Sequence, residues 1–171
     1  MLTQRLVGVF KLDAHVFWQI GHDPNATAQA ALVVAVVAFL SASGNAIAAV
    51  IGDGSFARGF FISFVWTFVG WFLWSAVAYF VDTTLLSGKA TLDEMLRVIG
   101  FAFAPQALGI IPCLGPFVGL LWSLIAGFVA VRHCLDLDDT SACLTIFVGF
   151  LLYLAGFAPL GMFMGGFFWF L

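Results

Sequence analysis

Marked for charge alone, the chain separates into four uninterrupted apolar runs: Pro24 to Gly52, Gly59 to Val81, Val98 to Val131 and Thr140 to Leu171. Each exceeds the roughly 18 apolar residues that identify a membrane-spanning candidate. None shows the strict alternation of a strand, and in hydrocarbon every backbone N–H and C=O must be bonded within its own segment or a closed barrel. The runs are therefore expected to be helices. The run from Val98 to Val131 is interrupted only by Pro112-Cys113-Leu114-Gly115-Pro116, a turn signal without a polar side chain. It reads as a hydrophobic hairpin with both feet on one side of a bilayer. The pattern predicts an all-α fold, a polytopic membrane helical bundle of about five spans (25–50, 56–81, 91–111, 116–133 and 140–156). All belong to a single membrane domain over 1–171, preceded by an amphipathic segment over 2–22 and followed by an apolar piece over 157–171.

Polar positions refine each element. Leu2, Leu6, Val9, Phe10, Val16, Phe17 and Ile20 share one helical face, opposite Gln4, Lys11, His15, Gln19 and His22. Such a helix either lies in the membrane interface, with Trp18 at headgroup level, or packs its apolar face on the bundle. Asp13 interrupts the apolar face and is a candidate N-cap for a restarted helix. Asp23-Pro24 is a helix-start signal for the first span, whose alanines, serines and Gly44 allow close helix approach. Phenylalanine and tryptophan crowd the second span, as on a surface facing lipid or a partner. Asp82 to Ala90 reads as a short polar loop.

The hairpin begins at Thr91, which forms a capping box with Glu94. Pro105 should kink the first arm and release the carbonyl one turn earlier, with Gln106 expected to bond that backbone or a neighbouring helix. Gly115 and Gly119, flanking Pro116, supply a small-residue spacing for close helix contact after the Pro112 turn. Arg97 and Arg132 bound the charge-free stretch. The arms between them, 98–111 and 117–131, give only about 21–22 Å each, short of the roughly 30 Å hydrocarbon layer. Either the two arginines snorkel and the bilayer thins, or the hairpin stays in one leaflet as a wedge. Asp139 or Thr140 is expected to cap the last helix, and Gly156 with Pro159 to break or kink it.

Composition agrees with this pattern. Apolar residues make up 63% and charged residues 9% of the chain, too few charges to clothe a soluble domain. Mean hydropathy is +1.12. Ala31 to Ser43 imitates a secretory signal, but the 30 residues before it are too long for an n-region, so it reads as a retained span. With five spans, Arg5, Lys11, Lys89, Arg97 and Arg132 share a side and only Arg58 lies opposite. That bias predicts a cytoplasmic N-terminus and an outside C-terminus in the plasma (inner) membrane. The Asn25-Ala26-Thr27 triplet then faces the cytoplasm and is set aside as a glycosylation site. A basic stripe is absent, which argues against a nucleic-acid partner.

Chemistry is sparse. Charged groups and histidines are missing from the depths of the four runs, which weighs against ion-coupled transport and intramembrane proteolysis. Asn45, Thr67, Gln106, Ser123 and Thr145 remain as liners of a neutral path. Cys113, Cys134 and Cys143 form no ligand or disulfide pattern, and His133-Cys134 with Asp136, Asp138, Asp139 and Cys143 matches no metal-site spacing. The expectation is no catalytic residue, no cofactor and no metal. The partners expected are the lipid bilayer and other membrane proteins or further copies of the chain.

The run from Gly88 to Pro116, with Gly88, Thr91 to Leu96, Gly100-x-Ala102-x-Ala104-Pro105, Ile111-Pro112 and the following helix to Arg132, resembles the Yip domain. This is the Ypt-interacting protein family, here in compact prokaryotic form. The likeness extends more loosely from Asp13 to about Leu152. It implies five spans with a cytoplasmic N-terminus and no catalytic residues. Eukaryotic relatives are linked to Rab-type GTPases, vesicle traffic and membrane shaping, but their long cytoplasmic N-terminal region has no counterpart here, so GTPase binding is not carried over. The expected role is non-enzymatic membrane organisation or scaffolding, with an accessory subunit or a permease for a neutral or lipid-like solute as alternatives.

Overall fold

The computed structural model describes residues 2–51, 54–85, 88–111, 114–134 and 137–163. Among them the structure is helical throughout: α1 (Leu2–Phe10), α2 (Ala14–His22), α3 (Ala26–Ile51), α4 (Phe56–Phe80), a π-helical turn (Val81–Leu85), α5 (Leu92–Ala102), a 3₁₀ segment (Ala104–Ile110), α6 (Leu114–Cys134) and α7 (Asp139–Phe163). Three of these are long and apolar enough to cross a bilayer, over Ala26–Ile51, Phe56–Thr84 and Phe117–Cys134. A shorter apolar stretch, Asp139–Leu151, opens α7.

The N-terminal segment is two helices, divided at the position of Asp13. Gly8 C=O accepts from Asp13 N–H at 2.9 Å and Val9 C=O from Leu12 N–H at 3.1 Å, the paired bonds of a Schellman ending. Leu12 takes the left-handed position at φ 58°, where glycine is usual. The Asp13 side chain then accepts from His15 N–H and caps α2. Val9, Phe17 and Ile20 are fully buried. Of the two alternatives for this face, the helix pair spends it on the bundle, as a layer over α5 and α6.

The hairpin occupies the middle of the bundle. α3 packs on α4, on α5 and on the 3₁₀ segment; α6 packs on the 3₁₀ segment, α2, α5 and α7; α4 also touches α5 and α7. Its interior is built largely from small side chains (Ala30, Ala38, Ala42, Ala46, Ala126, Ala130), with Trp74, Phe17 and Phe101 as the largest buried ones. The outside is the reverse. Leu32, Val36 and Phe39 on α3, Phe117, Leu121 and Ile125 on α6, and Leu144, Phe147 and Leu151 on α7 are all exposed. Spaced three or four apart, they form continuous apolar stripes. Water penalises such a surface at about 25 cal/mol per Å², and lipid does not.

Two local expectations for the ends of the bundle are corrected. α7 continues through Gly156 and Pro159 to Phe163, since neighbouring groups in a membrane helix re-satisfy a backbone freed by proline. Its cap is Asp138, whose carboxylate accepts from Thr140 N–H at 3.1 Å and Ser141 N–H at 3.2 Å. Asp139 instead pairs with Arg132. The apolar piece beyond Phe163, including Gly165 of the second small-residue spacing, lies outside the described residues.

Candidate functional site: the central hairpin and its base

At the foot of the first arm the capping box is complete. Thr91 Oγ1 accepts from Glu94 N–H at 3.2 Å, and Glu94 Oε2 accepts from Thr91 N–H at 2.8 Å. Replacing Thr91 with alanine should cost about 1 kcal/mol, the usual loss for a cap, read as a lower midpoint in detergent unfolding.

Arg97 departs from expectation. Its side chain is 7% exposed and turns inward instead of snorkelling to headgroups. One terminal nitrogen donates to the Asp23 carbonyl at 3.3 Å, the other pairs with Asp93 at 3.2 Å, and Nε is buried without a partner. The α2–α3 junction supplies the reason, because it brings the Asp23 carbonyl, which also accepts from Ala26 N–H at 2.9 Å, over α5. The same junction holds Arg5, which pairs with the Asp23 carboxylate at 2.6 Å and donates to Gln29 Oε1 at 2.9 Å. Thr27 donates to Asp93 at 3.0 Å. Helices α1, α3 and α5 are thus tied at one end of the bundle.

Hydrogen bonding from Arg5 holds the Asp23 carboxyl below its ordinary value of 3.8. A folded carboxyl more acidic than the unfolded one contributes its full share above that ordinary value and loses it as pH falls below it. A spin label at exposed Val7 (V7C) should therefore gain mobility on acidification through this range, and R5Q should remove that dependence.

The predicted kink at Pro105 is a change of helix type. α5 ends at Ala102, and the chain continues as seven residues of 3₁₀ helix with proline in its first turn. Gln106 does not supply the polar contact expected of its side chain. Its backbone carbonyl accepts from Ser41 Oγ on α3 at 3.0 Å, because the tighter 3₁₀ winding turns carbonyls outward.

Glycines receive this segment from both sides. A Cβ on Gly115 would overlap the Leu108 carbonyl, and one on Gly119 would lie 2.9 Å from the Pro105 carbonyl. On α3, a Cβ at Gly44 would overlap the Gly109 carbonyl and come within 3.0 Å of Ile110 Cα. The small-residue spacing therefore joins the hairpin's own arms. Pro116 lies in the first turn of α6, where a missing N–H costs nothing. Pro112 lies outside the described residues.

These contacts fix the height of the hairpin. Its foot is level with Thr27 on α3 and its upper end with Gly44, 17 residues of helix or roughly 25 Å. α6, at 21 residues, is about 31 Å long. The returning arm is thus longer than the sequence suggested, and the 3₁₀ stretch adds about 0.5 Å of rise per residue to the other.

Arg132 sits at the end of α6, 42% exposed. With His133, Ala14, His15, Trp18 and Leu137 it lines an open surface groove, in which Trp18 stacks on His22 at 4.5 Å. Cys134 turns inward against Gly21. Among the described residues, no three His, Cys, Asp or Glu side chains are placed to hold a metal. Asp136 lies outside them.

The residue that sequence reading missed is Asp82. Its polarity suggested a loop, yet α4 continues past it as a π-helical turn and the side chain is fully buried. Gly88 leaves space for the carboxylate, since a Cβ there would overlap it, and Ala90 N–H donates to Oδ2 at 3.3 Å. Gly88 with Ala90, small residues a short distance after an acid, was the available signal.

A family model described as Yip1 domain matches residues 7–168, nearly the whole chain. The chain belongs to the Yip1-domain family. No curated protein and no solved structure gives a significant match. In this Yip1 domain, the segments that carried the resemblance, 88–116 and the helix to Arg132, are those that form the centre of the bundle.

Proposed function

We propose that this Yip1 domain is a non-enzymatic, multi-pass protein of the plasma membrane that organises its surroundings through helix contacts, with a cytoplasmic N-terminus. The orientation is supported by the base network, which gathers Arg5 and Arg97 at one end, with Lys89 beside the Thr91 foot and Arg132 at the α6 end near α2. Arg58 belongs to the opposite end of α4. An excess of Lys and Arg marks the cytoplasmic face.

One observation carries the organising role. The hairpin's backbone is closely packed on Gly44, Gly115 and Gly119 and accepts a hydrogen bond from Ser41, while continuous apolar stripes face outward. That arrangement favours a rigid body presenting surfaces to membrane neighbours over a solute path beside Gln106. Thr67, the other liner considered for such a path, donates back to the Ser63 carbonyl of its own helix.

The test is energy transfer between labelled copies in vesicles at rising protein-to-lipid ratio. Self-association predicts transfer well above that of randomly distributed proteins. Transfer at the random level, with stable monomers in mild detergent, contradicts self-association and leaves a different membrane protein as the contact. The accessory-subunit alternative rests on α4, whose Phe61, Phe72 and Phe80 are each more than half exposed. It predicts a stoichiometric membrane partner retained on mild solubilisation.

A further inference from the structure

Asp82 is the one fully buried acid among the described residues. Its Oδ2 has a single long bond from Ala90 N–H at 3.3 Å, and its Oδ1 has no partner. No cation pairs with it among the described residues. Two features of its setting oppose a negative charge. It is removed from water, where an unpaired carboxylate is strongly disfavoured. It lies at the C-terminal end of a long helix, the negative pole of the helix dipole. The α7 end packed against the π-helical turn carries Cys143 and Asp139, the latter paired with Arg132, and α4 supplies Tyr79 one turn before. Lys89, in the connection that follows, is exposed and makes no ion pair with it.

We propose that Asp82 is a proton-binding site, with a neutral carboxylic acid in the folded protein at neutral pH and the proton on Oδ1. Protonation removes the charge and turns Oδ1 from an acceptor without a donor into an O–H donor. The π-helical turn is consistent with such a role, since these rare distortions concentrate at functional positions. The proton also has a mechanical consequence. Asp82 holds the connection to the hairpin at two points, through its side chain to Ala90 N–H and through its backbone carbonyl to Gly88 N–H at 2.9 Å. Ala90 directly precedes the Thr91 cap. Loss of the proton strengthens the Ala90 N–H bond but leaves a buried charge, whose desolvation cost favours admitting water between α4 and the hairpin foot.

Infrared spectroscopy of the full chain in lipid, with ¹³C-labelled aspartate, reads the acid directly. At neutral pH an isotope-shifted carboxylic-acid carbonyl band is expected, absent from D82N and moved out of the labelled set in D82E. It should disappear on alkalinisation, together with a rise in maleimide labelling of A90C in a background without the native cysteines. If the wild type shows no such band at neutral pH, or if the band survives in both variants, the proposal is wrong. The wild-type spectrum alone decides the first point, so failure of a variant to fold does not protect it. A band whose loss leaves A90C labelling unchanged overturns the clasp.

Discussion

Gly44→Val will destabilise the protein by about 3 kcal/mol or more, although Gly44 sits in mid-helix where valine is the better helix former. The propensity gain is only a few tenths of a kcal/mol. Against it stands overpacking, typically about 1–3 kcal/mol and larger where nothing yields. The atoms facing a side chain at Gly44 are the Gly109 carbonyl and the backbone of Ile110, so relief requires the hairpin to move bodily. Moving it also stretches the Ser41–Gln106 bond one turn away, worth about 1 kcal/mol. Titration with denaturing detergent, followed by circular dichroism, measures the change. Val36→Ala, on the exposed face of the same helix, serves as a control within about 0.5 kcal/mol of wild type. Equal stability of G44V and V36A would mean that α3 and the hairpin are not in contact.

Trp74→Ala should cost about 3–5 kcal/mol, the range for removing a buried large aromatic. Trp74 is 1% exposed, with its ring 5.5 Å from Phe103 and 5.9 Å from Phe150. It lies over Gly127, where a Cβ would come 3.7 Å from the indole edge. One indole therefore joins α4, the hairpin and α7. Its N–H, however, is buried without a partner. Trp74→Phe loses area but also removes that unsatisfied donor, which by itself costs about 1–3 kcal/mol. The phenylalanine variant should thus stay close to wild type while the alanine variant falls. Equal losses for the two would show that the N–H is satisfied in the folded protein.

Much of the architecture was legible in the sequence because the bilayer simplifies the code. Charge-free length marks helices, and the turn and the Thr91–Glu94 box are local signals read without tertiary information. Partnership was not legible. The Gly115–Gly119 spacing announces close approach but not to what, and the partner is the 3₁₀ segment of the same hairpin. Arg97 stands at the end of an apolar run, yet direction along a helix does not reveal that the α2–α3 junction brings the Asp23 carbonyl within its reach. With three acids together at Asp136, Asp138 and Asp139, choosing the cap of α7 needed backbone geometry. Asp82 is the instructive failure. Polarity after an apolar run suggests water, whereas here the helix continues and the following chain folds over the carboxylate.

We propose that the hairpin crosses the bilayer with the bundle instead of wedging into one leaflet. Its upper end is registered against Gly44, and α6 has the length of a full crossing. Leu114, the first residue of α6, is 73% exposed, so protection of a thiol placed there cannot be ascribed to packing within the protein. With the native cysteines replaced, L114C should react with an impermeant maleimide added outside intact cells. Labelling only after the cells are opened, or no labelling from either side, would contradict the crossing as oriented here.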